Sequence, residues 1–209
     1  QPMGFYSPSQ LIQDARRHHI MVLPVDVNHS SWDHQILSSA DQQQPPIRLG
    51  LRLIKGLSEA AGQRIHTAQR QRTFANVADL RQRACLDRGD MEALAAADAL
   101  SGISGNRYQS HWQTMALEAH RPLLPHDSAA QRSQDDAAVT AAPTLPEDVV
   151  ADYQSTGLTL RSHPLTLLRH QPPFDRCRRQ TELETLGNHR FVRVAGLVTC
   201  RQRPGTASG

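Results

Sequence analysis

Ile54-Lys55-Gly56-Leu57-Ser58-Glu59-Ala60-Ala61-Gly62-Gln63-Arg64-Ile65 is the stretch that decides how this 209-residue chain is read. Gly56-Leu57-Ser58 reads as a tight turn. Ser58 is placed to cap a helix running to about Gln69, with Ala61 and Ile65 facing inward one turn apart. Gly56 allows a positive φ and a close approach to the backbone. A turn of this kind points its N–H groups outward at a helix N-terminus, where they can hold a phosphate without reading a base. Lys55 and Arg52 are placed to add charge-assisted contacts. An ordinary turn between two helices would use the same letters, so the neighbouring sequence has to decide.

The order apolar residue, Gly-apolar-small turn, Ala, aliphatic is the helix-hairpin-helix pattern, with Ser58 where many such hairpins carry a second glycine. A degenerate copy follows at Leu86-Asp87-Arg88-Gly89-Asp90-Met91-Glu92-Ala93-Leu94, before Ala95 to Leu100. Its acids and sparse glycine suggest a mainly structural unit. The candidate phosphate-binding set is Arg52, Lys55, Gly56, Leu57 and Ser58, with Arg88 from the second copy. Further helices are expected from caps at Asn76 (to about Ala84), Asp87 (to about Ala97) and Ser104, the last with Tyr108, Trp112 and Met115 near helical spacing. Residues 47–118 therefore read as a tandem helix-hairpin-helix domain.

Upstream, Ser7-Pro8 opens a helix to about His19, Ile20 to Val25 suits a short buried strand, and residues 26–33 form a polar loop. Together residues 1–46 make a small α/β piece, broken from the rest by the Asp41–Pro46 run DQQQPP. Ile47 to Ile54 (IRLGLRLI) alternates like a strand. Residues 119–148, acidic and rich in Pro, Ala and Ser, have no apolar periodicity and read as a flexible linker. Residues 149–189 form a connecting helical region, with helical character starting at Pro146. Gly157 ends that helix, and Leu158, Leu160, Leu165, Leu167 and Leu168 supply a satellite core. Phe191 to Cys200 alternates like a strand, so residues 190–209 read as the start of a further β domain. A strand with nothing to pair against is incomplete, and the sequence reads as part of a longer polypeptide. The fold class is mainly α with small α/β and β parts.

Composition limits the alternatives. The charged fraction is 21% and the formal net charge +3, which argues against wholesale disorder. No apolar run approaches the ~20 residues of a membrane span, and no signal-type segment opens the chain, so a soluble cytoplasmic protein is expected. Cys85, Cys177 and Cys200 are far apart and spell neither a disulfide framework nor a zinc knuckle. The eleven histidines share no ligand spacing. No Walker sequence, nucleophile elbow or paired-carboxylate set is present, so no catalytic or metal-binding residue is assigned. Of the 23 basic residues only Lys55 is lysine. Residues 48–107 carry ten basic and six acidic groups, and 161–209 nine and three. The intervening 108–160 carry two and seven. Two basic blocks around an acidic spacer fit a nucleic-acid footprint, although a solvated helix face would look similar.

Five stretches in this order, residues 2–33, 47–65, 74–100, 149–169 and 192–209, resemble the bacterial C-family DNA polymerases, the family of the DNA polymerase III alpha subunit, and most closely its error-prone branch. The resemblance covers nearly everything except the linker. It implies that 1–46 end a fingers region, that 47–118 hold duplex DNA behind the active site, and that 190–209 begin an OB-fold cut short here. It places the catalytic palm, with its aspartates and magnesium, outside these residues, so no cofactor is expected within them. It also implies a nucleotidyltransferase parent acting in damage tolerance and induced mutagenesis. DNA, bound without sequence preference, is the expected partner, with polymerase accessory proteins and the sliding clamp as further ones. The competing reading is a non-catalytic protein-interaction scaffold in a repair or replication assembly.

Overall fold

The structure is a computed structural model that describes residues 6–38, 44–117, 141–198 and 201. It divides into two units, residues 1–161 and 162–209.

The first unit opens as its caps dictate. Ser7 and Gln10 form a reciprocal capping box, Pro8 takes the first helical position, and α1 runs Pro8–Arg17. The buried strand expected at 20–25 pairs over only two half-buried residues, β1 (Val22–Leu23). It lies parallel to β3 (Ile47–Arg48). On β3's other side runs antiparallel β2 (Gln35–Ile36), giving the order β1-β3-β2. β2 carries no apolar pattern, since both its residues are exposed.

The strand expected over 47–54 is overturned after its second residue. Leu49, Leu51 and Ile54 are buried, so the apolar reading holds. The backbone, however, turns at Gly50 into a 3-10 turn, Leu51–Leu53. The amides of Leu51 and Arg52 donate to the carbonyls of Ser31 and Trp32 at 2.9 and 3.0 Å, so a loop takes the bonds a strand would have used. A Cβ on Gly50 would sit 2.4 Å from the Trp32 carbonyl oxygen, and only glycine allows that approach.

The helices follow: α2 (Glu59–Gln71), α3 (Val77–Arg83), α4 (Arg88–Ala96), the single turn α5 (Ser101–Ser104) and α6 (Arg107–Ala116). Ser58, Asn76 and Asp87 cap as expected, each accepting from the amide three residues on. Ser104 does not begin the fourth helix. It ends α5, Gly105 breaks the chain at φ +100°, and Asn106 caps α6. The aromatic face of α6 points outward, with Trp112 53% and Met115 71% exposed.

One core gathers Leu51, Ile65, Leu80, Met91, Leu94 and Leu100. Val25 and Val27 join it, so the polar loop 26–33 works as a brace. Val27 N–H donates to Ala99 O at 3.1 Å, and the Asn28 amide pairs with both backbone groups of Phe74.

α7 (Leu145–Ser155) returns to this unit. Pro146 and the Thr144–Glu147 capping box start it, so the expected linker end at 148 falls inside a helix; residues 119–140 of that linker lie outside the described residues. Leu158 and Leu160 pack on the main core, and the expected satellite core is therefore divided.

In the second unit, α8 (Pro164–Leu168), a 3-10 turn (Phe174–Arg176) and α9 (Gln180–Leu183) are short. Residues 191–198 hold no strand, contrary to expectation, and Phe191 is fully exposed. An alternating segment needs a neighbour to satisfy its backbone. The bond from Arg178 N–H to Arg193 O, 2.8 Å, does not make a ladder. Residues 199, 200 and 202–209 of the expected OB-fold start lie outside the described residues.

Candidate nucleic-acid interface

The first hairpin is built from alternate burial. Leu51, Ile54 and Leu57 anchor its inner side, while Arg52, Lys55, Gly56, Ser58, Glu59 and Ala60 are exposed. Gly56 has φ +86°, the left-handed turn anticipated from the sequence. Ser58 Oγ accepts from Ala61 N–H at 3.1 Å, which fixes the start of α2 and leaves the amides of its first turn at an exposed helix N-terminus. The helix dipole favours an anion there, and Glu59 already supplies one acidic side chain to that turn. Ala93 of α4 lies 3.9 Å from where a Gly56 Cβ would stand. The fold thus brings the helix of the second copy against the first hairpin.

The candidate cations are all held by protein partners. Arg52 Nη1 pairs with Asp33 Oδ1 at 2.6 Å, and Arg88 Nε with Glu92 Oε1 at 2.6 Å. Both pairs are well exposed, and such pairs contribute about 0–1 kcal/mol, so an incoming phosphate can compete for either arginine. Lys55 is different. Its ammonium donates to the carbonyls of Tyr153 and Gln154 at 3.0 and 2.9 Å, and its amide to Ser155 O at 2.9 Å. Leu57 is buried and acts through packing.

The second hairpin spans Ala84 to Asp87, with Cys85 at φ +49° in place of a glycine. Asp87 and Asp90 form a capping box on α4. Arg64, outside the candidate set, ties the copies together: Nε donates to Ala84 O at 2.9 Å and Nη2 pairs with Asp90 at 3.3 Å. Beside it runs an open groove of about 270 Å³, lined by Gln63, Arg64, Thr67, Gln71, Arg83 and Cys85 among others, with no carboxylate in the lining. No spacing rule singles out Arg64 or this groove, because they arise only when α2 packs on the α3–α4 hairpin.

Two titrating groups bear on the site. His34 accepts the Gly50 N–H at Nδ1, 2.9 Å, just before the hairpin. Burial, then the Arg52 charge, hold its pKa below 6.5. Asp148 of α7 is raised, first by burial, against the lowering pull of Arg161 and Arg107. Among the described residues no group of three or more His, Cys, Asp or Glu is placed to hold a metal ion, and no helix is long and apolar enough to cross a membrane.

A helix-hairpin-helix motif model matches residues 19–110. The whole chain is 50% identical, over 212 aligned residues, to an error-prone DNA polymerase of Saccharophagus degradans. It is 51% identical over 211 to one of Teredinibacter turnerae, and 47% over 208 to one of Pseudomonas aeruginosa. In each case the match takes in 100% of this chain and 20% of the relative, so the chain spans about a fifth of the length of the curated relatives it matches.

Proposed function

We infer that this chain, homologous throughout to one region of error-prone DNA polymerases, is a DNA-binding segment of such a polymerase. It grips duplex or primer-template DNA through backbone phosphates, without sequence preference. The observation that carries this is the turn made by exposed Gly56, at φ +86°, and exposed Ser58, which opens α2 with α4 beside it. Amides at a helix start suit a phosphate oxygen and read no base. Arg52 and Arg88 add charge once they leave their exposed carboxylate partners. The nucleotidyl transfer, its magnesium, the role in damage tolerance and induced mutagenesis, a cytoplasmic location and any sliding-clamp contact belong to the longer polymerase of this reading. This chain's own residues bind and orient.

The test is fluorescence anisotropy on a labelled primer-template across a salt series. About four neutralised phosphates give a log–log slope of roughly −3 to −4. Gly56→Val should weaken binding equally on unrelated sequences. Sequence-selective binding, or full affinity in the variant, would refute the reading.

A second reading, a protein-interaction scaffold, is favoured by the outward α6 face of Tyr108, Trp112 and Met115. Capture of a polymerase accessory protein without DNA, lost in Trp112→Ser, would support it.

A further inference from the structure

We propose that α7 is a strap that sets the first hairpin, and that Lys55 is a positioning residue for phosphate binding through that strap, not a phosphate ligand. The proposal rests on the reading of the hairpin as a phosphate site and assigns a different task to its only lysine.

The last carbonyls of a helix lack intrahelical partners and carry the negative end of its dipole. Lys55 reaches three consecutive carbonyls at the end of α7: its amide takes Ser155 O, and its ammonium takes Gln154 O and Tyr153 O, the last of which also accepts Gly157 N–H. Gly157, at φ +80°, turns the chain immediately afterwards, and a Cβ there would stand 3.9 Å from Lys55 Cε. The lysine stem thus lies along the helix end, with two of its three ammonium donors committed. The next residue is Gly56, where the hairpin turns. An anchor on Lys55 therefore fixes the residue that enters the turn.

The strap is itself held. Arg107 of α6, 3% exposed, pairs with Asp148 at 3.1 Å and Asp152 at 2.5 Å. Arg161 pairs with Asp152 at 2.8 Å and with Asp98, at the α4–α5 turn, at 2.6 Å. Thr159 Oγ1 donates to Asp152 as well. Buried pairs of this kind are costly to break singly, so α7 has one seat against α6 and the α4–α5 turn. Its C-terminal carbonyls are delivered to Lys55 in register. A segment 98 residues away in sequence thereby decides the geometry of the hairpin.

Counterion release separates the two roles of Lys55. A direct phosphate ligand contributes about 0.9 to the log–log salt slope, and a residue acting through α7 contributes nothing. The experiment uses the full chain, wild type, Lys55→Met, Lys55→Arg and Asp152→Asn, with circular dichroism to confirm folding. Anisotropy on primer-template DNA is read across salt, and amide hydrogen exchange without DNA. The expected result for Lys55→Met is a several-fold loss of affinity at every salt concentration with an unchanged slope. Exchange over residues 54–58 should rise about ten-fold. Lys55→Arg, which keeps its donors, should restore both. Asp152→Asn, which changes nothing in the hairpin itself, should also accelerate exchange at 54–58. A slope shallower by about 0.9 in Lys55→Met, or unchanged exchange there and in Asp152→Asn, would overturn the proposal. Absence of wild-type binding would instead overturn the phosphate reading itself, and is told apart because the exchange arm needs no DNA.

Discussion

Gly56 and Gly62 are both glycines of one motif, yet they are required for different reasons. At Gly56 the space is open, with the nearest atom to a built Cβ at 3.9 Å, and the demand is conformational, φ +86°. Gly56→Ala should therefore cost about 1–2 kcal/mol, read as a lower urea midpoint at unchanged slope. At Gly62 a Cβ would stand 2.4 Å from the Trp32 ring. Gly62→Ala should cost about 1–3 kcal/mol by overpacking, and Trp32→Leu should relieve part of it in the double variant. The first requirement was legible in the sequence, because a turn glycine next to a capping serine has a local cause. The second was not, because Trp32 lies thirty positions away and no periodicity links them. His34 adds a pH dependence. Its pKa in the fold lies below 6.5, because burial first and Arg52 second disfavour the charged ring. The stability from neutral His34 is complete above pH 6.5 and is withdrawn as pH falls through the lower folded value. His111, lowered by burial and then by Arg107, acts in the same direction. The contribution of these two histidines to the unfolding free energy should thus decline as pH falls below 6.5, while Asp148, raised by burial, acts in the opposite direction. The decline should be shallower in His34→Gln, whose side-chain oxygen can still accept the Gly50 amide.

Among the elements, most helix starts were readable, while the strands at 20–25 and 47–54 were read in place but too long. Ser7, Ser58, Asn76 and Asp87 each cap where their spacing predicts, because a cap is settled within one turn of chain. IRLGLRLI misled because its apolar letters alternate as in a strand, while the backbone leaves the strand after Arg48 and buries 49–51 in succession. Ser31 and Trp32, which take the backbone bonds, come from another segment. The same limit hid the role of α7. Its apolar residues announced a helix, but no spacing in the sequence gave its acids a partner. Asp148 and Asp152 both meet Arg107. Arg107→Met would leave half-buried Asp148 and buried Asp152 with Arg161 as their remaining cationic partner among the described residues. A loss of about 3–5 kcal/mol is expected, measured by denaturant unfolding. Asp152→Asn should be milder, because the side-chain oxygen still accepts from Thr159 or an arginine. Equal losses in the two variants would mean that packing, not charge, holds α7.

For the whole molecule the decisive question is where the first unit ends. Composition put a boundary at 148, where acid-rich, Pro/Ala-rich sequence gives way to apolar residues. The fold puts it at 161, after Leu158 has joined the core of residues 25–100, α7 has paired with Arg107 and Arg161 with Asp98. The difference is physical: a compositional edge marks where a chain begins to offset its own ordering entropy, while a unit edge marks where the packing stops. Two truncations separate these descriptions. A chain ending at residue 161 keeps Lys55, Arg107 and Asp98 with their partners, and should unfold in one cooperative transition close to that of the first unit in the full chain. A chain ending at residue 144 leaves Arg107 without either aspartate and Lys55 without its carbonyls. It should lose about 3–5 kcal/mol or fail to fold. If the 144 truncation matched the 161 truncation in midpoint, α7 would be a passenger and the hairpin would stand without it. If the 161 truncation itself lost cooperativity, the second unit would contribute to the first. Binding follows the same division. DNA affinity and its salt slope should survive truncation at 161 to the extent that the phosphates are held by the hairpins. Any drop in slope there measures the arginines of residues 162–209 that also reach the DNA backbone, at about 0.9 for each phosphate they neutralise.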